Sequence, residues 1–350
     1  MIIIPTGFYG TGSSAITDLM KEYSNVACKS DYELRFLFDP DGVSDLEYNL
    51  IENPNRHNSS HALKRFIKAM NNLDHVWMVK RYYRYFDGKF MPIVNQYVSK
   101  LVLTSYKGMW HYDIYEKGKL FYIFSRMYSK LTTKINSFLK IRSYGNELGS
   151  KNEKSYLTIT NEKEFVTATQ SFVDDIAKAL NPENKNYVVM DQLMPPSNIQ
   201  RYIRYVRNAK VIIVDRDPRD IYIMEKEIWK GTIVPTDDVK IFCEWYEWTR
   251  KTAENNKEFE NVLYVNFEDL IYRYDETVIK IEEFNGFEKN NHRFPKKYFN
   301  PDVSINNTQL WKEKRNYLQD VNYIENRLEK YCYKFPSNIK FKNRKATDCF

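Results

Sequence analysis

Apolar positions along the chain alternate between short continuous runs and helix-spaced stripes. Ile2-Ile3-Ile4 reads as a short buried strand, and Pro5 to Gly12 as the loop that follows. Ser13 to Tyr23 then places Ile16, Leu19, Met20 and Tyr23 on one helical face. Val26 to Ser30 reads as a second strand. Val43 to Glu52 reads as a helix with Ser44 as its N-cap and Pro54 beyond its end. Leu63, Phe66, Ile67 and Met70 form a stripe within a helix over Ser60 to Asn71. Asn161, with Glu164 three residues on, has the pattern of a capping box that starts another helix. Tyr187 to Met190, Lys210 to Asp215 and Asn261 to Val265 are three more strands. The run Val211-Ile212-Ile213-Val214 is apolar throughout, as suits a parallel strand covered on both faces. Glu268 to Phe284 reads as a helix stopped by Gly286.

Strands alternating with helices predict an α/β fold, three-layered, with a mostly parallel central sheet. The 350 residues contain no repeat and no low-complexity linker, so residues 1–350 are expected to form a single domain. From about Tyr82 to Tyr156 the composition shifts to Tyr, Phe, Trp, Lys and Arg. That stretch reads as a mostly helical insertion, a core of helices with basic outer faces. Tyr106, Trp110, Tyr112, Tyr115, Phe121, Tyr122 and Tyr128 are its aromatic candidates for a sugar-binding groove. The tail after Phe335 is basic and polar and is expected to be loosely ordered.

Charge and composition then narrow the function. The net charge of +7 suits an anionic ligand, and no Arg-rich helix, RNP-like strand or finger spacing points to nucleic acid. Cys28, Cys243, Cys332 and Cys349 show no paired spacing, and the five histidines no ligand pattern, so neither a disulfide framework nor a metal site is expected. No apolar run reaches membrane-spanning length. Met1 to Ile4 is too short for a signal sequence, so a cytoplasmic enzyme is the expectation.

The chemistry concentrates in two segments. Pro5-Thr6-Gly7-Phe8-Tyr9-Gly10-Thr11-Gly12-Ser13-Ser14-Ala15 lies between a strand and a helix. Its glycines allow close approach to a ligand, its backbone N–H groups favour an anion, and Thr11, Ser13 and Ser14 add hydroxyls. Gly10 to Ala15 also matches the dinucleotide fingerprint G-x-G-x-x-A, with Asp31 near the place of the ribose-binding acid. A nicotinamide or flavin oxidoreductase is therefore a rival reading. Against it, Pro5 to Tyr9 intervene between the strand and the first glycine of the fingerprint. A Walker A loop lacks its G-K-[S/T] ending here. In the second segment, Arg216-Asp217-Pro218-Arg219-Asp220 follows the buried run. It places Arg216 at a strand's C-terminal end, on the ligand side of a parallel sheet, and Pro218 in a first helical turn. Asp217 and Asp220 suit that helix start electrostatically.

With these two segments in place, the chain resembles the sulfotransferases that use 3'-phosphoadenosine-5'-phosphosulfate (PAPS), whose core is similar to that of P-loop NTPases. Three further stretches are similar to that family. They are Val262 to Leu270, like its late strand and "YEDL" turn; Glu33 to Asp39, like the "E-x-x-F-F-D" stretch of its glycan-modifying branch; and Ser304 to Lys312, like its C-terminal "W-K" segment. The resemblance implies sulfuryl transfer to a glycan or glycan precursor, as in polysaccharide biosynthesis, with 3',5'-bisphosphoadenosine (PAP) as product. It implies that Gly7, Tyr9, Gly10, Thr11, Gly12, Ser13 and Ser14 hold the 5'-phosphosulfate. Arg216 would hold the 3'-phosphate, with Ser304, Asn306 and Asn307 as further contacts. Glu33 is the expected general base, with Asp31 and Asp191 as competitors, and Phe36, Leu37 and Phe38 are expected to exclude water from it. Two positions depart from the family: Gly10 stands where many members carry a lysine, and Met224 where they carry a serine. Arg35, Lys80 and Arg81 are candidates for the missing charge. A non-catalytic nucleotide-binding protein of the same fold is the other alternative.

Overall fold

The computed structural model describes residues 1–108, 110–141, 153–254 and 259–337. Residue 109 and residues 142–152 of the aromatic stretch lie outside the described residues, as do Cys349 and most of the basic tail. The chain divides into two compact units: Met1–Leu37 with Val173–Phe350, and Phe38–Phe172. The second unit is wider on both sides than the stretch singled out by composition.

Among the described residues, seven strands form two sheets: β1 Ile2–Gly7, β2 Val26–Ala27, β3 Val102–Lys107, β4 Lys154–Thr158, β5 Tyr187–Val189, β6 Ala209–Asp215 and β7 Val262–Asn266. The first unit holds a five-stranded sheet in the order β2-β5-β1-β6-β7, and all its pairings are parallel. Apolar residues explain why this sheet is covered on both faces. Ile3, Ile212, Val214 and Val265 pack against the helix Ser14–Met20 and the helices Phe267–Tyr272 and Tyr274–Asn285. Ile4, Val211 and Ile213 point the opposite way and are also fully buried. Full burial of each such side chain contributes roughly 1.5–3 kcal/mol. The expected α/β architecture with a parallel central sheet is therefore present.

Several boundaries differ from the sequence reading. β1 continues through Pro5 and Thr6 to Gly7, pairing with β6 all the way to Val214. Proline is tolerated because Pro5 faces the β5 side, where that strand has already ended at Val189 and the Pro5 carbonyl accepts the Gln192 N–H at 2.9 Å. β2 is only two residues long. Helix Val43–Glu47 is capped at Gly42, not Ser44, and passes into a π-helical turn, Tyr48–Glu52. The helix containing Leu63 is longer than its stripe, Arg56–Asp74, because the Asn55 side chain accepts the His57 and Asn58 N–H groups. The stretch after β7 is two helices, since Arg273 takes a non-helical conformation between them.

Within the second unit, the helices Phe90–Leu101 and Lys119–Phe138 match the helical expectation. The antiparallel pair β3–β4 does not. Its partners are some fifty residues apart in the chain, a separation at which period alone gives no pairing signal.

At the end of β6, the Arg-Asp-Pro-Arg-Asp segment is more than a capped helix start. Asp217 accepts the Arg219 N–H at 2.9 Å, and its carboxylate holds the Arg219 guanidinium at 3.0 and 2.7 Å. It also accepts the Tyr333 N–H at 2.8 Å. Arg219 lies over Trp311, 4.4 Å from the ring centroid. Both Asp217 and Arg219 are almost fully buried. Asp220, fully buried, accepts the N–H groups of Gln309 and Leu310 at 2.8 and 2.7 Å. These acids tie the C-terminal segment to the end of the sheet. Asp217→Ala should destabilise the fold by about 3–5 kcal/mol, because it leaves a buried guanidinium without its closest carboxylate. Urea unfolding measures this, and a loss under about 1 kcal/mol would refute the structural role.

Candidate functional site

β1 and β6 are neighbours, yet the chain leaves β1 for β2 on one side of the sheet and leaves β6 for β7 on the other. Such a reversal opens a crevice beyond the strand ends, where open α/β sheets bind ligands. A cavity of about 650 Å³ lies there. Its lining includes Tyr9, Gly10, Thr11, Gly12, Ser13, Ser14, Glu33, Arg216, Ser304 and Asn307. Gly7 and Asn306 do not line it. A Cβ on Gly7 would lie 2.3 Å from Thr11 Oγ1 and 2.8 Å from the Val214 carbonyl oxygen, so Gly7 serves strand packing. Asn306 is the buried middle residue of the 3-10 turn Ile305–Asn307.

The loop has a defined internal geometry. Thr11 donates its hydroxyl to the Phe8 carbonyl at 2.6 Å, so that proton is used within the loop. The expected role of Thr11 as a hydroxyl donor is thereby corrected. Ser13 Oγ instead accepts from Gln192 Nε2 at 2.8 Å, which leaves its proton to point elsewhere. Gln192 Oε1 in turn accepts the Thr6 hydroxyl at 3.1 Å. Gly10 and Gly12 have φ of +79° and +84°, and a Cβ on Gly12 would lie 2.9 Å from the Phe267 ring. A lysine at position 10 would carry the strain of a left-handed backbone, which accounts physically for its absence there.

Arg216 is buried at the cavity's edge. Its guanidinium donates to the carbonyls of Gly10, at 3.4 Å, and Asn307, and lies 4.7 Å from the Phe267 ring centroid. It therefore joins the loop to the C-terminal segment. Met224 places its sulfur 3.2 Å from the same guanidinium. The sulfur is a weak acceptor where a hydroxyl would be a strong one.

Two lysines not anticipated from the sequence, Lys296 and Lys297, also line the cavity. Their ammonium groups lie over the rings of Tyr274 and Phe294, 5.0 and 4.8 Å from the centroids. One buried acid holds their loop. Glu22 accepts the N–H groups of Lys296, Tyr298 and Phe299 at 3.0, 2.9 and 3.0 Å, and contacts His292 Nε2 at 2.8 Å. Lys296 has φ of +62°, a costly conformation for a side-chain-bearing residue that these bonds enforce. Arg35 lies 3.6 Å from Glu33, while Lys80 and Arg81 belong to the Phe38–Phe172 unit.

Acids gather elsewhere around the cavity. The Glu33 side chain is 53% exposed, so the expected exclusion of water around it is not found. Leu34, Phe36 and Leu37 are fully buried, and they anchor the segment while Glu33 faces solvent. The Leu34 N–H bonds to the Asp191 carbonyl at 2.8 Å, which brings Glu33 to the end of β5. Asp191 is the perturbed group. Burial, then the charges of Glu33 and Asp18, push its carboxyl up to about 7, against the Thr17 hydroxyl and the Gln192 N–H. Tyr9 and Trp229 complete the lining as a pair of partly exposed rings, with centroids 6.4 Å apart and near-perpendicular planes.

No family model matches the chain, and no curated protein matches it in sequence. Among solved structures, it aligns with the sulfotransferase domain of the Synechococcus PCC 7002 olefin synthase at a TM-score of 0.41 and 12% identity, over 96% of this chain and 94% of that one.

Proposed function

We propose that the first unit is a PAPS-dependent sulfotransferase acting on a carbohydrate hydroxyl. The observation that carries the reading is the placement of Arg216, the Gly10–Ser14 loop and two lysines around one cavity at the β1/β6 crevice. A nucleotide with phosphates at both ends needs such separate anchors. The loop N–H groups and Ser13 suit the 5' end, and Arg216 suits the 3'-phosphate through paired charged hydrogen bonds. Lys296 and Lys297 supply the charge that Gly10 cannot. PAPS brings the activated sulfuryl group. The protein's part is to position the acceptor and to balance charge developing on the phosphate it leaves.

Asp191 is the better proton acceptor of the two acids. Its pKa near 7 matches neutral working pH, whereas Glu33 is solvated and paired with Arg35. The acceptor hydroxyl gives its proton to Asp191 as its oxygen bonds to sulfur, and the sulfur's bond to the bridging phosphate oxygen breaks. PAP leaves with that oxygen. The exposed Tyr9–Trp229 pair beside these acids suits a sugar ring. In the second unit, the Trp110 ring is already covered by His57 and Arg56.

The dinucleotide reading loses its main obstacle and gains another. β1 reaches Gly7, so Gly10 follows the strand closely after all. However, the strand next to β1 is the third of the sheet in chain order and not the second, whereas the dinucleotide fold runs 3-2-1-4-5-6. Calorimetric titration with PAP and with NAD separates the two readings, and turnover of labelled PAPS separates an enzyme from a binding protein.

Two outcomes follow from the geometry. PAP should bind roughly 10- to 100-fold more tightly than AMP, the worth of a charged pair of hydrogen bonds. Arg216→Lys, which keeps the charge but loses the fork, should remove most of that preference. Equal affinity of the wild type for PAP and AMP would sink the assignment.

The acids should separate by pH. Asp191→Asn should cut turnover by about 10²–10⁴ with PAP affinity retained. Glu33 raises the Asp191 pKa, so Glu33→Gln should lower it and move the rising limb of the rate–pH profile to lower pH. An unmoved limb in Glu33→Gln, or full activity in Asp191→Asn, would exclude Asp191 as the base.

A further inference from the structure

The helix Lys119–Phe138 in the second unit is turned outward in an unusual sense. At 100° per residue, Leu120, Phe124, Met127, Leu131, Ile135 and Phe138 fall within an arc of roughly 80°. All six are exposed, from 47% for Ile135 to 87% for Phe138. The buried residue of the helix is Ser125, on the far side of its circumference. So Ser125, flanked by the half-buried Phe121, Tyr122, Ser129, Thr132 and Asn136, packs inward while the continuous aliphatic and aromatic stripe meets solvent, the reverse of an ordinary surface helix.

Charge says what covers this face. The helix carries Lys119, Arg126, Lys130 and Lys134 and no acid. On the same wheel those cations fall within a roughly 80° arc beside the apolar stripe, at about 340° to 60° against 80° to 160°. A helix lying flat in a bilayer surface has this layout, with apolar side chains among the acyl chains and cations at the level of the headgroups. A second copy of this helix would bring like charges together, whereas anionic headgroups would neutralise them. Among the described residues no helix is long and apolar enough to cross a membrane, so the contact envisaged lies in the plane of the surface. At 1.5 Å per residue the 20 residues would cover about 30 Å of that surface.

We propose that Lys119–Phe138 docks the protein on an anionic phospholipid bilayer. The proposal is independent of the chemistry assigned to the first unit. It is tested with the full chain, by co-sedimentation with vesicles of phosphatidylcholine alone or mixed with phosphatidylglycerol. Binding to the mixed vesicles should exceed binding to phosphatidylcholine by at least about tenfold and weaken at high salt. Phe124→Glu with Leu131→Glu should abolish binding, while Lys130→Glu with Lys134→Glu should remove the lipid preference. Both pairs are surface changes, so an unchanged melting temperature confirms that they fold. Absence of binding to the mixed vesicles, or equal binding to both kinds, overturns the proposal. Sedimentation velocity then shows whether Phe124→Glu with Leu131→Glu turns a dimer into a monomer, the result expected if a second copy covers the face.

Discussion

Keeping one guanidinium charged at the end of a buried strand is the constraint around which the first unit is arranged. A cation taken out of water is costly unless opposite charge and hydrogen bonds compensate it. Around Arg216 that compensation comes from several directions. The carboxyls of Asp220 and Glu268 lie close enough to feel its charge, which opposes the burial that pushes both toward the neutral form, and Asp215 accepts its backbone N–H at 2.8 Å. The Tyr246 hydroxyl donates to its carbonyl at 2.9 Å. Arg250 pairs with Asp215 at 2.6 Å, so a further buried cation offsets the surrounding acids. The carbonyls of Gly10 and Asn307 occupy part of the guanidinium, which fixes both the phosphate-type loop and the C-terminal segment relative to the sheet. Removing any one of these groups would be felt at the cavity.

Much of this was legible because it is local. The apolar run Val211–Val214 announced a covered strand, and the glycines and hydroxyls of Gly10–Ser14 announced a loop that a ligand can approach. Arg216 followed from its place at a strand end. The rest depends on contacts distant in sequence. Lys296 and Lys297 sit in an unremarkable basic stretch, and only the bonds to Glu22, more than 270 residues away, bring them to the cavity. Gln192 orients Ser13 across a separation of 179 residues. Likewise, the resemblance put Glu33 ahead of Asp191 because a string of residues carries no record of which carboxylate is buried. Burial separates them, and burial is a property of the fold.

The Glu22 carboxylate does inside the protein what the loop is arranged to do for a ligand: it collects backbone N–H groups around an oxyanion. Unlike a ligand, it never leaves. The strand of chain bearing Lys296 and Lys297 is therefore ordered when the protein folds, and its entropy is lost at that stage. An anion arriving at the cavity would meet lysines whose backbone is already in place, leaving mainly side-chain torsions to settle. Recognition at this wall of the cavity would then resemble a key entering a cut lock more than a hand closing on an object.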